Sequence, residues 1–165
     1  WMIKSSFGIA LTIFVGQNFG GWIWDRVRRG TRVCLGMAVG TAICLTAVLM
    51  MAGRFLLGIF TGDAVVVEIG LTMMRNIAPA FVMFVFIEIF SGSLRAQGYT
   101  FVTTVISVLG VCVFRIIWVS LIPPGQDLTR IVACYPISWI ICAALVSGYY
   151  FYKQKRIIER MEGKT

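Results

Sequence analysis

The fold is decided by residues Pro79 to Pro123, PAFVMFVFIEIFSGSLRAQGYTFVTTVISVLGVCVFRIIWVSLIP. Two apolar runs flank a tight corner at residues 92–100, and each run is long enough to cross a bilayer, which takes about 20 residues. Each run carries one ionisable side chain well inside it, Glu88 in the first and Arg115 in the second. A charge in hydrocarbon costs about 2.5–3.5 kcal/mol on insertion scales, so it normally faces protein or water and marks a pathway. The stretch therefore predicts two membrane helices with a candidate functional residue in each.

The composition of the whole chain also indicates a membrane protein. Of 165 residues, 59% are hydrophobic and 13% are charged, and the mean hydropathy is +0.88. In a soluble domain about a quarter of the residues are charged. The net charge of +8 could suggest nucleic acid, but the basic residues lie between and after the apolar runs, where they set orientation in a membrane. We expect membrane lipid as a partner and no nucleic acid.

The residue types that most enzymes and metal sites need are missing or misplaced. Histidine is absent, and the cysteines lie in apolar runs without a C-x-x-C pair, at Cys34, Cys44, Cys112, Cys134 and Cys142. They are interpreted as small core residues rather than disulfides or metal ligands. Without histidine or a lysine at depth, no nucleophile–base pair can be assembled. We therefore expect no enzyme, no catalytic residue, no metal site and no cofactor.

The beginning of the chain predicts part of a transmembrane helix within residues 1–20. The apolar run of about Ser6 to Phe19 spans only ~20 Å at 1.5 Å per residue, less than the roughly 30 Å of a hydrocarbon core. The chain begins with Trp1 and shows no charged region before a small-residue cleavage site, so no signal peptide is expected. We expect a processed chain or a piece of a longer one.

The rest of the chain predicts an all-α membrane protein, a polytopic bundle of transmembrane helices. A basic cytoplasmic link is predicted at residues 21–32, and a basic, helix-compatible cytoplasmic tail at the membrane surface is predicted at residues 153–165. Four complete transmembrane helices are predicted between them, at about 33–53, 68–94, 101–122 and 131–152.

The distribution of positive charge predicts the orientation. If the link at 21–32 is cytoplasmic, alternation places ten basic residues on that side and four on the other. The ten are Arg26, Arg28, Arg29, Arg32, Arg95, Lys153, Lys155, Arg156, Arg160 and Lys164, and the four are Lys4, Arg54, Arg75 and Arg130. This bias follows the positive-inside rule and predicts a cytoplasmic C-terminus.

Glu88 is the first candidate for transport or ion coupling. It lies six residues, or ~9 Å, from the inner end of its helix, deeper than a glutamate easily reaches. The alternative is a residue near the interface that pairs with Arg95, seven residues on along the same face. Asn76, where the same apolar run begins, is a further candidate.

Arg115 is the second deep charge and lies on a polar stripe with Thr104 and Ser107, which are also candidates. It lies roughly 21 Å from the inner end of its helix, so an offset of ~12 Å separates it in depth from Glu88. This exceeds side-chain reach, and we expect no direct salt bridge between them. Arg115 is instead expected to have a structural partner in the outer half or to line a cavity there.

Two further patterns fit a packing role as well as a functional one. Gly36 and Gly40 form a G-x-x-x-G pair, which lets membrane helices approach closely, although glycine is also tolerated in such helices without any close contact. A set of methionines and phenylalanines could line a pocket for apolar cations or could simply pack: Met50, Met51, Met73, Met74, Met83, Phe81, Phe84, Phe86 and Phe90.

Four motifs resemble those of the multidrug and toxic compound extrusion (MATE) family. Gly16-Gln17-Asn18-Phe19-Gly20, followed by Asp25-Arg26-Val27-Arg28-Arg29, resembles its G-Q-N-x-G-A…R signature, and Gly92-Ser93-Leu94-Arg95-Ala96-Gln97-Gly98 resembles its G-x-L-R-G-x-G segment. Phe114-Arg115-Ile116-Ile117-Trp118 is similar to its F-R-I-x-W, and Tyr135-Pro136-Ile137-Ser138-Trp139 to the start of its last helix. The departures are Ala96, where the family has glycine, and the bulky Gly21-Trp22-Ile23-Trp24.

The resemblance implies a protein of twelve helices in two six-helix lobes, which exports organic cations and other xenobiotics across a bacterial-type inner membrane in exchange for Na⁺ or H⁺. This chain would then form part of the second lobe, from the end of helix eight to helix twelve, and the missing N-terminal lobe and the organic cations would be its partners. Some sodium-coupled members carry an acidic residue where Phe84 stands, and relatives of a common bacterial subgroup carry a glutamate at the Glu88 position.

Two other functions are compatible with the same residues. One is a lipid-linked oligosaccharide flippase of the same superfamily, although such proteins tend to line their cavity with several cations and only Arg115 is deep here. The other is a membrane scaffold subunit without transport. The residues decide neither the substrate nor the coupling ion.

Overall fold

The computed structural model describes residues 2–121 and 128–162, and this part of the chain is helical throughout apart from short turns. Its helices are α1 (Met2–Gly20), α2 (Trp24–Phe60), α3 (Ala64–Ile77), α4 (Phe81–Ala96), α5 (Thr100–Ser107), α6 (Phe114–Leu121), α7 (Leu128–Val132) and α8 (Cys134–Glu162). A 3-10 turn, Ala78–Ala80, joins α3 to α4, and a π-helical segment, Val108–Val113, joins α5 to α6. The predicted all-α fold class is confirmed.

Four helical stretches in the described residues are long and apolar enough to cross a membrane. They are Trp24–Phe60, Ala64–Ala96, Thr100–Leu121 and Arg130–Glu159. Each overlaps one of the four predicted spans. The predicted end of the third complete span, Ile122, and the Pro-Pro-Gly sequence after it lie outside the described residues.

The link between the first two helices is much shorter than predicted. Residues 21–23 are non-helical, and α2 begins at Trp24, so the arginines assigned to a link over 21–32 lie in its first turns. With 37 residues, α2 is about 55 Å long, well beyond the roughly 30 Å of hydrocarbon. Hydropathy therefore located the apolar part of α2 and missed where the helix begins.

One of the other two boundaries agrees with the prediction and one differs from it. The first helix, Met2–Gly20 with 19 residues, lies within the predicted 1–20. The basic tail was expected to lie along the membrane surface, but α8 continues without a break from the apolar run to Glu162. Its lysines and arginines keep the helical period, which offers no signal for a stop.

The predicted third segment consists of two helices rather than one. Pro79 lies within the 3-10 turn between α3 and α4, where its missing N–H interrupts the α-helical hydrogen bonds. The Thr46 hydroxyl donates to the Ala78 carbonyl at 3.3 Å, which supplies a partner from α2 to this irregular backbone. At the other end of α3, the Asp63 side chain caps the helix by accepting from the Val65 N–H.

Helix α4 lies at the centre of the bundle and packs against α1, α2 and α8. Its second half is buried on all sides, and even the polar residues Ser91 and Ser93 are at most 3% exposed. Toward α1 and α2 it contributes to a core with Leu11, Val15, Val27, Val85 and Ile89, and toward α8 to a core with Phe90, Trp139, Cys142, Val146 and Tyr150. Burial on all sides fits the absence of charged residues from 89–94.

Candidate functional site

Glu88 lies where α4 meets α1. A Cβ atom added to Gly8 would stand 2.6 Å from Glu88 Oε1, so the carboxylate rests directly against the α1 backbone. The crossing is equally tight one turn further along, because a Cβ on Gly92 would lie 3.0 Å from Thr12 Oγ1. The Thr12 hydroxyl donates to the Gly8 carbonyl at 2.7 Å, with the Gly92 carbonyl at 3.3 Å. Small residues thus place a carboxylate between two membrane helices.

Arg95 is the ion-pair partner of Glu88. Its Nη2 donates to Glu88 Oε1 at 3.5 Å, with side-chain exposures of 40% for Arg95 and 21% for Glu88. This is the pairing that the sequence offered as the alternative for Glu88. Charge-assisted N–H···O bonds are normally about 2.7–2.9 Å long, so the contact is loose and leaves the carboxylate available to a competing cation.

The turn after α4 fixes where Arg95 lies. The Gly98 N–H donates to the Arg95 carbonyl at 3.0 Å, and the Tyr99 N–H donates to the Leu94 carbonyl at 3.0 Å. This is the Schellman pattern, and Gly98 has the left-handed φ of +89° that it requires. The family-motif residues Arg95 and Gly98 therefore form one unit, in which the glycine ends the helix that presents the arginine.

A buried polar network that was not predicted from the sequence lies at the same end of α4. Ser93 Oγ lies 3.3 Å from the Thr31 hydroxyl of α2 and accepts from Gln97 Nε2 at 3.1 Å. All three side chains are buried. The available signal was the spacing of Ser93 and Gln97, which puts two polar side chains on one helix face next to an apolar run.

Arg115 is held by α8. Its Nε donates to Ser138 Oγ at 3.1 Å, and its guanidinium carbon lies 4.2 Å from the Tyr135 ring centroid and 5.8 Å from that of Trp139. Its Nη2 is buried and has no hydrogen-bond partner within the described part of the chain. The expected structural partner is confirmed, and Glu88 and Arg115 do not form an ion pair with each other.

The polar stripe predicted on the fourth segment is divided. Ser107 contacts Cys142 of α8, and Arg115 also faces α8, but Thr104 is exposed and its hydroxyl donates to the Thr100 carbonyl of its own helix. The division therefore falls within α5, between Thr104 and Ser107, and the π-helical segment at Val108–Val113 lies between Ser107 and Arg115, which both face α8. Asn76 likewise bonds within its own helix, from Nδ2 to the Thr72 carbonyl at 3.0 Å.

The remaining family-motif residues lie at the end of α1. The Gln17 carbonyl accepts from the Gly21 N–H at 3.2 Å, and the Asn18 carbonyl accepts from the Ile23 N–H at 2.9 Å. Trp22, one of the bulky residues in the unusual link, takes a positive φ of 59°. Gly16 and Gly20 have nothing within 4 Å of an added Cβ. In this structure the motif builds the turn from α1 into α2.

Of the two alternatives left open for Gly36 and Gly40, the close helix contact is not formed with any described residue. An added Cβ at either glycine meets nothing within 4 Å. The close contact lies instead at Gly8 and Thr12, which have the same four-residue spacing. That spacing was the signal that could have located it.

Among the described residues, the carboxylate of Glu88 is the group at the α1–α4 crossing that could bind a cation. No group of three His, Cys, Asp or Glu side chains that could hold a metal ion occurs within residues 2–121 and 128–162. The backbone of Gly8 lies against this carboxylate, and one turn further along the Thr12 hydroxyl lies against Gly92. The chemistry available here is competition between Arg95 and another cation for a single carboxylate.

The helices and their charges define a multi-pass membrane protein. A family model described as MatE matches residues 1–121, so the chain belongs to the MATE family.

One relative and two solved structures are also similar to this chain. The Bacillus subtilis (strain 168) protein named "Probable multidrug resistance protein YoeA" is 24% identical over 165 residues, which cover 94% of this chain and 34% of that protein. This chain therefore spans about a third of the length of that relative.

The solved structures show the likeness of the fold. One is a MATE protein in complex with MaL6, at a TM-score of 0.81 and 13% identity, covering 94% of this chain and 38% of that one. The other is an inward-facing conformation of a multidrug resistance MATE family transporter of the MOP superfamily, at a TM-score of 0.81 and 12% identity, covering 96% of this chain and 39% of that one.

Proposed function

We propose that this chain is part of a cation-coupled antiporter that exports organic cations and works by alternating access. Membership of the MATE family and the multidrug-resistance name of the Bacillus subtilis relative support the substrate class. The observation that carries the coupling is the position of Glu88, a half-buried carboxylate that lies against Gly8 of α1 and pairs loosely with Arg95.

The coupling step proposed for Glu88 is an exchange of cations. A Na⁺ or H⁺ that reaches the carboxylate competes with the Arg95 guanidinium, which holds Oε1 at only 3.5 Å. Neutralising Glu88 releases Arg95 and removes a charge from the α1–α4 crossing. Because the ion acts only where it binds one conformation better than the other, this differential affinity shifts the populations of the inward- and outward-facing states.

The tight crossing explains how an event at one side chain reaches two helices. The Glu88 carboxylate occupies the space that Gly8 leaves open, so a change in its charge or position acts directly on the α1 backbone. Closely packed interfaces switch between discrete arrangements rather than deforming continuously. In the proposed cycle, α1 and α4 therefore adjust together when the ion arrives or leaves.

The setting proposed for this machinery is a bacterial-type inner membrane with the C-terminus in the cytoplasm. The basic residues in the first turns of α2 and the last turns of α8 support this orientation. Because the relatives are about three times as long, the opposing wall of the transport pathway would come from an N-terminal lobe. These 165 residues alone are expected not to transport.

The experiment is ion-gradient-driven export of a fluorescent organic cation from vesicles that contain the full-length transporter with this sequence. Glu88→Gln should abolish the dependence of export on the ion gradient, since it removes the charge with little change in shape. The matched control is Glu68→Gln, which removes the exposed partner of Arg54 near the start of α3. Unchanged ion dependence in Glu88→Gln, or an equal loss in Glu68→Gln, would refute the role of Glu88.

A lipid-linked oligosaccharide flippase is the second candidate, and one observation favours it. The buried, unpartnered Nη2 of Arg115 is a donor suited to an anionic phosphate. On this alternative, Arg115→Gln abolishes flipping of a lipid-linked oligosaccharide while Glu88→Gln leaves flipping intact. Within residues 2–121 and 128–162, no contact favours a membrane scaffold, for which both variants would lose assembly rather than transport.

A further inference from the structure

A small cavity lies between α2, α4 and α8, away from the Glu88 crossing. Its volume is about 160 Å³, and its polar lining includes Arg28 and Arg32 from the first turns of α2 and Gln154 from α8. Among the residues that the structure describes, no acidic side chain lines it. Among the described residues, two arginines, of which Arg32 is solvent-exposed, and one amide therefore border a cavity with mainly apolar walls.

The amide of Gln154 lacks a partner. Gln154 is only 6% exposed, and its Nε2 is buried without a hydrogen-bond partner within the described residues. A buried donor left unpaired costs about 1–3 kcal/mol, so such groups call for an acceptor that protein atoms do not supply. Among the described residues, Arg28 and Arg32 form no ion pair either. All three groups are donors to an acceptor-rich, anionic ligand.

The cavity lies where the helices change from apolar to charged sequence. In α2 the uncharged run starts directly after Arg32, and in α8 the run ends just before Lys153 and Gln154. The other lining residues are mainly apolar and include Leu35, Phe90 and Phe151. Basic side chains next to apolar ones, at the end of the membrane spans, are typical of the depth at which lipid headgroups lie.

We propose that this cavity binds the phosphate of an anionic phospholipid headgroup from the leaflet that faces the start of α2. The guanidinium groups of Arg28 and Arg32 donate to the phosphate oxygens, as arginine does wherever planar, bidentate recognition is needed. The Gln154 amide supplies a neutral donor from α8. The exposed ring of Phe151 lies beside the acyl chains, and the two arginines exclude a cationic ligand from the cavity.

The test is a binding titration on the full-length protein, purified in a neutral detergent and freed of native lipid. Dioctanoyl phosphatidylglycerol, dioctanoyl phosphatidylcholine and inorganic phosphate are added separately, and bound adducts are counted by native mass spectrometry. We expect one saturable phosphatidylglycerol site and much weaker binding of the other two. Inorganic phosphate binding as tightly as the anionic lipid would overturn the lipid assignment, and so would equal binding of the two lipids.

The chain offers a control matched in charge and position. Arg26 and Arg29 lie in the same turns of α2 but line a different groove, between α1 and α2. The double variant Arg28→Gln/Arg32→Gln should bind the anionic lipid about 30-fold more weakly, since two cations near a phosphate are removed. Arg26→Gln/Arg29→Gln should change binding less than about threefold. Equal losses in the two double variants would mean general attraction to a basic surface and would overturn the site.

A second variant keeps the proposal testable if the double variant folds poorly. Gln154→Glu changes the shape little and places a carboxylate beside both arginines, so it should abolish binding while the unfolding midpoint stays the same or rises. Binding by Gln154→Glu at the wild-type affinity would overturn the site. Because this readout uses no transport, its outcome is independent of the export proposed for Glu88.

Discussion

Glu88 and Arg115 carry opposite charges inside membrane-spanning helices, and the protein accommodates them differently. Glu88 lies at a crossing of small residues, partly exposed, with one loose ion pair. Arg115 lies against aromatic rings and is bonded to Ser138 of the neighbouring helix. The first arrangement leaves the charge open to exchange with another ion, whereas the second holds the charge in place.

The surroundings of the two charges explain this difference. Around Arg115 the rings form a connected cluster, in which Phe81 stacks on Trp139 and Phe84 meets Trp139 edge-on, each at 5.6 Å between centroids. Ring faces are negative and attract a cation, most strongly where water is excluded. At Glu88 the glycine contacts provide space rather than fixed partners. The residue types beside a charge therefore indicate whether that charge is structural or exchangeable.

The largest effect is expected from filling the space beside Glu88. Gly8→Leu should lower the free energy of unfolding by about 2–3 kcal/mol, because overpacking forces neighbours apart and both Glu88 Oε1 and Cγ lie within 2.8 Å of an added Cβ. Thermal unfolding in detergent measures it. Gly36→Leu, at a site with nothing within 4 Å, is the control. Similar unfolding midpoints for the two variants would show that the α1–α4 crossing is looser than described.

The next effect separates the two arginines directly. Arg115→Lys should cost about 1–2 kcal/mol, because lysine has neither the flat face that lies over Tyr135 nor the Nε donor to Ser138. Arg95→Lys should change stability by less than about 0.5 kcal/mol, since its exposed contact with Glu88 is already long. The thermal unfolding midpoints of the two variants measure these costs. A larger loss of stability in Arg95→Lys than in Arg115→Lys would contradict the prediction.

A smaller effect is expected at the turn that presents Arg95. Gly98→Ala should cost about 1 kcal/mol, because an L-residue is disfavoured at positive φ and Gly98 has a φ of +89° with nothing within 4 Å of an added Cβ. Gly62→Ala, at a site equally open but without a positive φ, is the control. The same unfolding assay applies, and an equal cost at Gly62 would contradict a conformational cause.

The smallest effect is the coupling between Glu88 and Arg95. A double-mutant cycle with Glu88→Gln and Arg95→Gln should give an interaction energy of at most about 0.5 kcal/mol, in line with other partly exposed ion pairs. The cycle is measured from the stabilities of the four proteins. A coupling several times larger would show a tightly bound pair and would count against ion exchange at Glu88.

The sequence predicted which parts of the chain cross the membrane, because length and hydropathy depend only on local composition. It could not predict where the helices begin and end. The arginines before Val33 are good helix formers, so α2 starts at Trp24 although the membrane run begins nine residues later. Lys153 and the residues after it extend α8 for the same reason. A helix end and a membrane boundary are set by different physical causes.

Within the candidate site, contacts along one helix were predictable and contacts between helices were not. Arg95 lies seven residues after Glu88, which is a fixed distance on an α-helix, so this pairing could be named in advance. The Ser138 partner of Arg115 depends on how α6 is rotated against α8. That rotation is altered by the π-helical segment before α6, which no residue pattern in this stretch predicts.

The uninterrupted course of α8 has a mechanical consequence. Its 29 residues form a rod about 43 Å long at 1.5 Å per residue, rooted beside Arg115 and ending in the basic tail. One degree of tilt about the rooted end displaces the other end by about 0.75 Å on that length. A dye or spin label placed near Glu159 would therefore move further than any residue near the fixed end. Small rotations of α8 would then be measurable as changes in distance by spectroscopy.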